Sequence, residues 1–298
     1  MLCIYHMADH DGKGSAAIVK SVYPEAEFLP FNHDSEIPYE EIEKHDKIVI
    51  CDIALPLDYM FELNKKIDLT WIDHHVSIIN EYEERVKAGE TPIKGVRKVG
   101  TAAIILTWHY FYPDKRLPLG IKLLGLNDVF DLEDKRVRPF EYAMQALGVN
   151  KPNEKIWGQL IRDEVEINPM VEKGRAILSY IHNRNYRLAR AQAFVTEFEG
   201  YKCICANIAQ GYSEFYDSLD NIADYDVMIN FFMNKKNCWN LSFYTAKDDV
   251  DVSKIAAKFG GGGHAKAAGA SALKELPEFL KEGQMWVSPK LLEQNKKD

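Results

Sequence analysis

Acidic and imidazole side chains follow the first apolar run of the sequence within a few residues. The run LCIYH ends on His6, and Asp9 and Asp11 come before a glycine-rich stretch. Two later runs end in the same way, KIVICD on Asp52 and LTWID on the Asp-His-His of residues 73–75. Side chains at such positions are either turn and capping residues or ligands of a cation. Their repetition at three run ends favours the cation.

Short apolar runs alternate with amphipathic stretches over roughly the first 130 residues. LCIYH, AEFLPF, KIVICD and LTWID are typical of strands, and GSAAIVKSVY, LDYMFELNKK and GTAAIILTWHYFY are typical of helices. This alternation predicts an α/β domain with a doubly wound, mostly parallel sheet. The carboxyl ends of parallel strands meet at one edge, where open α/β sheets bind ligands. The three run ends are therefore expected to lie together.

A long basic helix and a second, smaller domain are predicted for the rest of the chain. Residues 166–195 have a continuous helical pattern, with Tyr180 among the residues on its apolar side. Three strand-like runs follow, then a glycine loop and an Ala-rich stretch expected to begin a helix, which together predict an α+β domain. We divide the chain into a catalytic metal-binding domain (1–165), a connector helix (166–195) and a substrate-binding domain (196–290).

The types of the clustered side chains indicate which cation they bind. An ionised Asp at a strand end is costly to bury without a positive partner. Oxygen ligands with a few imidazoles and no cysteine favour Mn²⁺, with Mg²⁺ as the alternative, over a structural Zn²⁺ site. The candidates outnumber the ligands of one ion, which favours two ions that share a carboxylate, as in phosphoryl-transfer hydrolases. Asp52 is the expected bridge, because its strand would lie between the other two. The candidate ligands are His6, Asp9, Asp11, Asp52, His74 and Asp128.

The segment FGGGGHAKAAGA, residues 259–270, is a second candidate site. Consecutive glycines let backbone N–H groups approach an anion closely, and the N-terminus of the helix expected after them would favour a phosphate. His264 follows the glycines directly. A flexible linker is the alternative, and a Walker A loop is excluded because the Gly-Lys-Ser/Thr ending is missing. We predict that this loop binds a ligand.

These motifs resemble those of the DHH/DHHA1 phosphoesterase superfamily, which contains RecJ-like nucleases, nano-RNases and phosphoadenosine-phosphate phosphatases. HMADHDGKGSA is similar to the first family motif, CDIALP to the second, DHH to the third and GLNDVFD to the fourth. GGGGHAKAAG is similar to the signature of the DHHA1 domain. The resemblance implies a DHH domain that binds two Mn²⁺ ions, followed by a DHHA1 domain that binds substrate.

The resemblance also implies a role for each candidate in the DHH domain. His75 would be catalytic and would face the scissile phosphate, and Asp73 would orient the histidines. The metal ligands would form two sets with one shared residue. The first set is His6 and Asp9, and the second set is Asp11, His74 and Asp128. Asp52 would belong to both sets.

For the DHHA1 domain, the resemblance implies that the glycine loop and His264 hold a second phosphate or a terminal nucleotide. Many DHHA1 domains carry an arginine on the strand before this loop, where the present chain has Tyr244. Tyr244 is then expected to stack on a base or sugar, and Lys266 or Lys247 to supply the positive charge. The glycine contacts are expected at Gly261, Gly262 and Gly263.

The composition restricts the setting in which this chemistry takes place. The 298 residues are 46% hydrophobic, as in a globular protein, and no apolar run approaches the roughly 20 residues that span a bilayer. The five cysteines lack the paired spacing of a metal site and are expected to be reduced. The first residues also lack the pattern of a leader. Both observations predict a cytoplasmic, non-membrane protein. A net charge of −8 disfavours binding to long duplexes.

Together these interpretations predict a Mn²⁺-dependent phosphoesterase of the exonuclease type. Its expected substrate is a short single-stranded oligonucleotide or a nucleotide, hydrolysed at a terminal phosphodiester or phosphomonoester bond. A 3′-phosphoadenosine 5′-phosphate phosphatase and a phosphodiesterase for cyclic or linear dinucleotides are the alternatives. A non-catalytic nucleotide sensor would lack some ligand types, and all of them are present here. The sequence is also compatible with a homodimer.

Overall fold

Two units, Met1–Ile177 and Leu178–Asp298, make up the computed structural model of this chain. The division falls within one long helix, α9 (Ile167–Gln192). None of the described helices combines the length and the apolar character needed to cross a membrane. Residues 287–290, which we predicted to end the second domain, lie outside the described residues. The structure describes residues 1–33, 35–209, 213–217, 219 and 221–286.

A four-stranded parallel sheet forms the centre of the first unit. Its spatial order is β2-β1-β3-β4, so the order reverses between β1 and β3. The predicted doubly wound α/β fold is thereby confirmed, and the switch point lies at the carboxyl ends of these two strands, where such sheets bind ligands. The strands are β1 (Leu2–His6), β2 (Glu27–Phe31), β3 (Lys47–Cys51) and β4 (Asp68–Ile72).

Helices cover both faces of this sheet. One face carries Ile4 and packs against α3, and the other carries Cys3 and packs against α1. A second apolar core, which includes Phe140 and Trp157, joins α1 to the helices of this unit from α5 onward. These helices position the loops at the carboxyl edge of the sheet. The helices before α9 are α1 (His10–Val22), α2 (Tyr39–Ile42), α3 (Leu57–Asn64), α4 (Val76–Lys87), α5 (Ala103–Phe111), α6 (Leu119–Asp128), α7 (Val137–Leu147) and α8 (Lys155–Ile161).

The second unit contains a seven-stranded mixed sheet in the order β11-β5-β6-β7-β8-β10-β9. β6 and β7 are parallel, and the other neighbours are antiparallel. α10 (Val252–Lys258) packs on one face of the sheet, and the end of α9 packs on the other. The predicted α+β domain is confirmed. Its strands are β5 (Phe194–Phe198), β6 (Tyr201–Asn207), β7 (Val227–Met233), β8 (Trp239–Tyr244), β9 (Gly262–Gly263), β10 (Ala267–Leu273) and β11 (Gln284–Met285).

Two local predictions are wrong. The Ala-rich stretch after the glycines is the strand β10 rather than the start of a helix, because its small side chains pack closely beside β8 and bury Ala268 and Ala270 in the core. This loop therefore has no helix N-terminus after it to favour a phosphate. Tyr180, which we expected on the apolar side of α9, is 65% exposed. The helix is buried near its two ends, at Val171 and Ala189, and its middle part is mostly exposed.

Candidate metal centre

The first motif is positioned by the tight turn from β1 into α1. His6 ends β1, and Asp9 caps α1 by accepting a hydrogen bond from the N–H of Gly12 at 3.0 Å. A Cβ at Gly12 would lie 2.1 Å from the carbonyl oxygen of His6, so the close approach of strand and helix requires glycine here. This turn holds His6 and Asp9 together at the carboxyl edge of the sheet.

Asp11 lies in the first turn of α1 and is almost fully buried. Its Oδ2 accepts a hydrogen bond from the N–H of Ala103 at 2.8 Å, and its Oδ1 accepts one from Ile104 at 2.7 Å. The carboxylate thus caps the N-terminus of α5, where the helix dipole favours negative charge. Burial and the charge of Asp52 nevertheless raise the pKa of Asp11 well above its ordinary value.

Asp52 follows β3 and is the central residue of the site. Its φ of 61° lies in the left-handed region that favours glycine, and its N–H donates to the carbonyl oxygen of Ile72 at 2.9 Å. The side chain is buried, and neither carboxylate oxygen accepts a hydrogen bond from any described residue. Burial raises the pKa of Asp52 to about 6. A carboxylate placed in this way requires a positive partner to remain ionised.

On one side of Asp52 lies the group formed by His6 and Asp9. The Nδ1 atom of His6 is 3.4 Å from Asp52 Oδ2 and 3.1 Å from Asp9 Oδ2. Nδ1 is buried and has no hydrogen-bond partner among the described residues, because neither contact has hydrogen-bond geometry. These three side chains place three ligand atoms within 4.8 Å of one another.

On the other side of Asp52 lies a second group, centred on His74. The Nε2 atom of His74 is 3.2 Å from Asp52 Oδ1, 3.6 Å from Asp11 Oδ2 and 3.4 Å from Asp128 Oδ2. Asp128 comes from the last turn of α6, and its Oδ2 is buried without a hydrogen-bond partner in the described part of the chain. Burial and the charge of Asp11 raise the pKa of Asp128 well above its usual value.

The two groups fit divalent cations. Ligand atoms bonded at about 2.1 Å and at right angles lie about 3.0 Å apart, close to the separations around His6 and His74. A cation in each group would also satisfy the buried oxygens of Asp52 and Asp128. The structure thus brings together all six residues that the sequence proposed as metal ligands, in two groups that share Asp52.

Asp73 is held by four polar contacts that also fix the two histidines after it. Its Oδ1 accepts hydrogen bonds from the N–H groups of His74 (2.6 Å) and His75 (3.1 Å) and lies 2.7 Å from His75 Nδ1. Its Oδ2 accepts one from Trp71 Nε1 at 3.1 Å. Burial would raise the pKa of Asp73, but its hydrogen bonds with His75 outweigh burial and lower it.

His75 is mostly buried, with 24% of its side chain exposed. Burial alone would lower the pKa of its imidazole, but the hydrogen bond to Asp73 outweighs burial and raises the pKa to about 9. In the metal-free chain the neighbouring carboxylates therefore favour the protonated form of the ring. It lies against the ring of His74, with the two centroids 4.6 Å apart. The site thus contains an imidazole, held by a buried carboxylate, beside the metal-ligand groups.

His33 also lies at this site, although the sequence pattern gave no reason to single it out. Its ring centroid is 5.8 Å from that of His6 and 6.4 Å from that of His75. His33 follows β2 by two residues, at the same carboxyl edge as the other candidates. The signal in the sequence was weak, because AEFLPF ends on Phe31, and His33 and Asp34 follow only after Asn32.

In the second unit, the glycine loop forms a β-hairpin. β9 pairs with β10, and His264 and Ala267 exchange backbone hydrogen bonds at 2.8 and 3.2 Å across the turn. A Cβ at Gly261 would lie 2.0 Å from the carbonyl oxygen of Gly269, so the strand ends approach as closely as glycine permits. Gly262, Gly263 and His264 are exposed at the tip, and Gly261 is half-buried.

The other predicted substrate-binding residues of this unit already have protein partners. Lys266 Nζ is 2.9 Å from Asp248 Oδ1, and Lys247 Nζ is 2.5 Å from Asp226 Oδ1. Tyr244, at the end of β8, is half-buried and packs against the apolar core beside the end of α9. The lysines would have to exchange these carboxylates for a phosphate in order to bind it.

Residues 206–288 match the DHHA1 domain family. This segment, which contains the glycine hairpin, is therefore similar to a DHHA1 domain. The resemblance seen in its motifs is thereby confirmed. The match covers β7, β8 and the glycine hairpin.

Two relatives are similar to this chain over most of its length. It is 23% identical over 293 residues to the uncharacterized protein R106 of Acanthamoeba polyphaga mimivirus, covering 89% of this chain and 66% of that protein. It is also 23% identical over 319 residues to the oligoribonuclease NrnB of Bacillus subtilis (strain 168), covering 96% of this chain and 77% of NrnB. The chain thus spans about two thirds of the first relative and about three quarters of the second.

Solved structures show the same fold. The pGpG-specific phosphodiesterase PggH of Vibrio cholerae has a TM-score of 0.50 at 10% identity, covering 99% of this chain and 96% of PggH. An exopolyphosphatase-related protein of Bacteroides fragilis has a TM-score of 0.51 at 14% identity, covering 94% of this chain and 88% of that one. At these identities the likeness is one of fold.

Proposed function

We propose that this chain is a divalent-metal phosphoesterase that hydrolyses terminal phosphodiester bonds of short oligonucleotides. The observation that carries the proposal is the position of Asp52, whose two buried oxygens face two different ligand groups. The substrate class is supported by the relative NrnB, which is named an oligoribonuclease. The net charge of −8 is also more compatible with a short substrate than with a long duplex.

In this proposal the two groups hold two ions, with Mn²⁺ favoured over Mg²⁺ because imidazoles accompany the carboxylates. When bound, such ions neutralise charge on phosphoryl oxygens and lower the pKa of water, so that hydroxide is available near neutral pH. His6 and Asp9 would hold one ion, and His74 would hold the other with the carboxylates beside it. Asp52 would contribute one oxygen to each.

His75 is the residue that we assign to the substrate's phosphate. Its Nδ1 proton is fixed on Asp73, so Nε2 is the ring nitrogen that would donate to a phosphoryl oxygen or to the leaving oxygen. The positive charge of the ring would stabilise negative charge that develops on these oxygens. Asp73 would act by positioning His75 and by keeping it charged.

We assign the glycine hairpin of the DHHA1 domain to the terminal phosphate or nucleotide of the substrate. Its exposed tip offers the backbone of Gly262 and Gly263 together with the side chain of His264. Gly261 is assigned to holding the hairpin's shape, because its Cβ position is filled by Gly269. Tyr244 and Lys266 are assigned to this substrate end as well. Lys266 would bind the phosphate after it gives up its contact with Asp248.

The test is a substrate panel for the purified chain with Mn²⁺. Dinucleotides to pentanucleotides of RNA and DNA, pGpG, cyclic dinucleotides, 3′-phosphoadenosine 5′-phosphate and inorganic pyrophosphate would be compared by kcat/KM. We expect the highest values for the linear oligonucleotides of two to five residues. A clear preference for 3′-phosphoadenosine 5′-phosphate or for cyclic dinucleotides would replace this substrate with the corresponding alternative. An Asp52→Ala sample prepared in parallel reports contaminating nucleases.

A further inference from the structure

Phe130 is an exposed aromatic residue next to the proposed metal centre. It lies two residues after Asp128 and is 60% exposed. Its neighbours Val129 and Leu132 pack against the helical core of the first unit, whereas Phe130 is not among the residues of that core. Burial in the protein therefore does not account for this side chain.

The backbone at Phe130 is strained. α6 ends with a hydrogen bond from Asp131 N to Leu126 O at 2.9 Å and another from Phe130 N to Asn127 O at 3.2 Å. This helix ending places Phe130 at φ 59°, where glycine is the usual residue. α7 of the same unit ends in the usual way, with Gly148 at φ 66°. Phenylalanine thus stands where glycine would serve the fold better, and strain of this kind is concentrated at functional sites.

Arg138 orients the ring of Phe130. Its guanidinium carbon lies 5.2 Å from the ring centroid, and its Nη1 donates to Asn127 Oδ1 at 3.5 Å. A guanidinium at this distance is attracted to the face of an aromatic ring. Asn127 precedes Asp128 directly, so the same short segment fixes the metal ligand, the guanidinium and the ring.

We propose that Phe130 is a stacking platform for a nucleobase of the substrate, which forms a nucleobase-binding subsite beside the metal centre. This inference rests on the proposed function. Two residues of chain span at most about 7 Å, so the Cα atom of Phe130 lies within about this distance of the Cα atom of Asp128. Every nucleobase has a π-face, so such a platform binds bases without reading their sequence.

The test combines Phe130→Gly with removal of the base from the substrate. KM would be measured for a dinucleotide and for the same compound with one abasic residue, in the wild type and in the variant. We expect loss of the base to raise the wild-type KM by about 5- to 100-fold, the scale of one stacked base. In the variant the KM values of the two substrates should differ by less than about threefold.

Stability and conservative variants separate this role from a structural one. Phe130→Gly should leave the melting temperature unchanged or raise it by up to about 3 °C, because it relieves the left-handed strain. Phe130→Tyr should keep the discrimination between the two substrates, and Phe130→Leu should lose it. Leu147→Ala, at an exposed apolar residue at the end of α7, is the matched control. It should change neither the melting temperature nor the ratio of the two KM values.

The results separate failure of the stacking platform from failure of the proposed phosphoesterase function. If the wild type hydrolyses dinucleotides but the variant discriminates the abasic substrate equally well, the platform is wrong and the phosphoesterase assignment stands. If Phe130→Gly lowers the melting temperature by more than about 3 °C, the ring serves the fold, which also overturns the inference. If the wild type hydrolyses no oligonucleotide, both proposals fail together.

Discussion

Asp52 Oδ1 lies 3.2 Å from His74 Nε2. This contact joins the ends of neighbouring parallel strands, and the other oxygen of Asp52 faces away from His74 toward the first motif. A single side chain thereby connects the two candidate ligand groups. Substitution of Asp52 is therefore expected to disturb both groups.

Asp52→Ala should abolish most of the activity by disturbing both ion sites at once. We expect kcat to fall by several orders of magnitude and the bound Mn²⁺ to drop from two equivalents to one or none. Steady-state kinetics and elemental analysis of desalted protein measure these two quantities. Asp114→Ala, at an exposed aspartate in the loop before α6, is a matched control that should resemble the wild type. Retention of more than about a tenth of wild-type turnover with both ions bound would show that Asp52 is not the bridge.

Asp73→Asn tests the positioning role of the buried carboxylate. An amide can accept hydrogen bonds through only one of its two end atoms, so the contacts from Trp71 and from the two histidines can no longer all be kept. We expect a loss of about 10- to 100-fold in activity or Mn²⁺ affinity. Trp71→Phe removes the indole donor, which also contacts the carbonyl oxygen of Ile53, together with part of a buried ring, but keeps the link between Asp73 and His75 and should cost less activity. Equal losses in the two variants would mean that general packing, rather than the link to His75, is what Asp73 provides.

The metal-free chain should become more stable as the pH falls from 8 to 5.5. Burial raises the pKa of Asp52 to about 6, above its ordinary value near 4, so the folded chain binds this proton more tightly than the unfolded chain. His75, with its pKa raised to about 9, stabilises the fold below about pH 6.5 and loses this contribution as the pH rises through 9. Both effects have the same sign.

Thermal melts in excess chelator at the two pH values measure this trend. Saturating Mn²⁺ should weaken it, because protons compete with the ion for the same atoms. A chelated protein that is more stable at pH 8 than at pH 5.5 would contradict the assignment of these pKa shifts.

His264→Ala tests the glycine hairpin of the DHHA1 domain. If the exposed imidazole grips a terminal phosphate, KM for oligonucleotides of two to five residues should rise by about 10- to 100-fold. Hydrolysis of bis-p-nitrophenyl phosphate, which needs no such grip, should change little. His182→Ala, at an exposed histidine of α9, is the control. Losses of the same size on both substrates would assign His264 to the chemistry or the fold, and no change on either would show that His264 does not bind the substrate.

The sequence was informative where side-chain type and strand position coincide. Asp52 and the Asp-His-His segment follow apolar runs, so parallel-sheet geometry was enough to predict that they converge. The cap that Asp11 places on α5 was not predictable, because it depends on how a helix distant in sequence packs. The same holds for the position of His33 beside His6 and His75 and for the carboxylates that pair with Lys247 and Lys266. We predicted a helix where the strand β10 follows the glycines, because alanine is common in helices and also fits where strands pack closely.

Release of mononucleotides from a dinucleotide is the measurement that tests the central claim most directly. Purified chain would be stripped with chelator, dialysed, and assayed on pGpG and on an RNA dinucleotide with and without added Mn²⁺, beside Asp52→Ala. We predict hydrolysis that is absent in the stripped protein, restored by about two equivalents of Mn²⁺ per chain and lost in the variant. Hydrolysis that persists in excess chelator, or no hydrolysis with any divalent ion, would contradict the account.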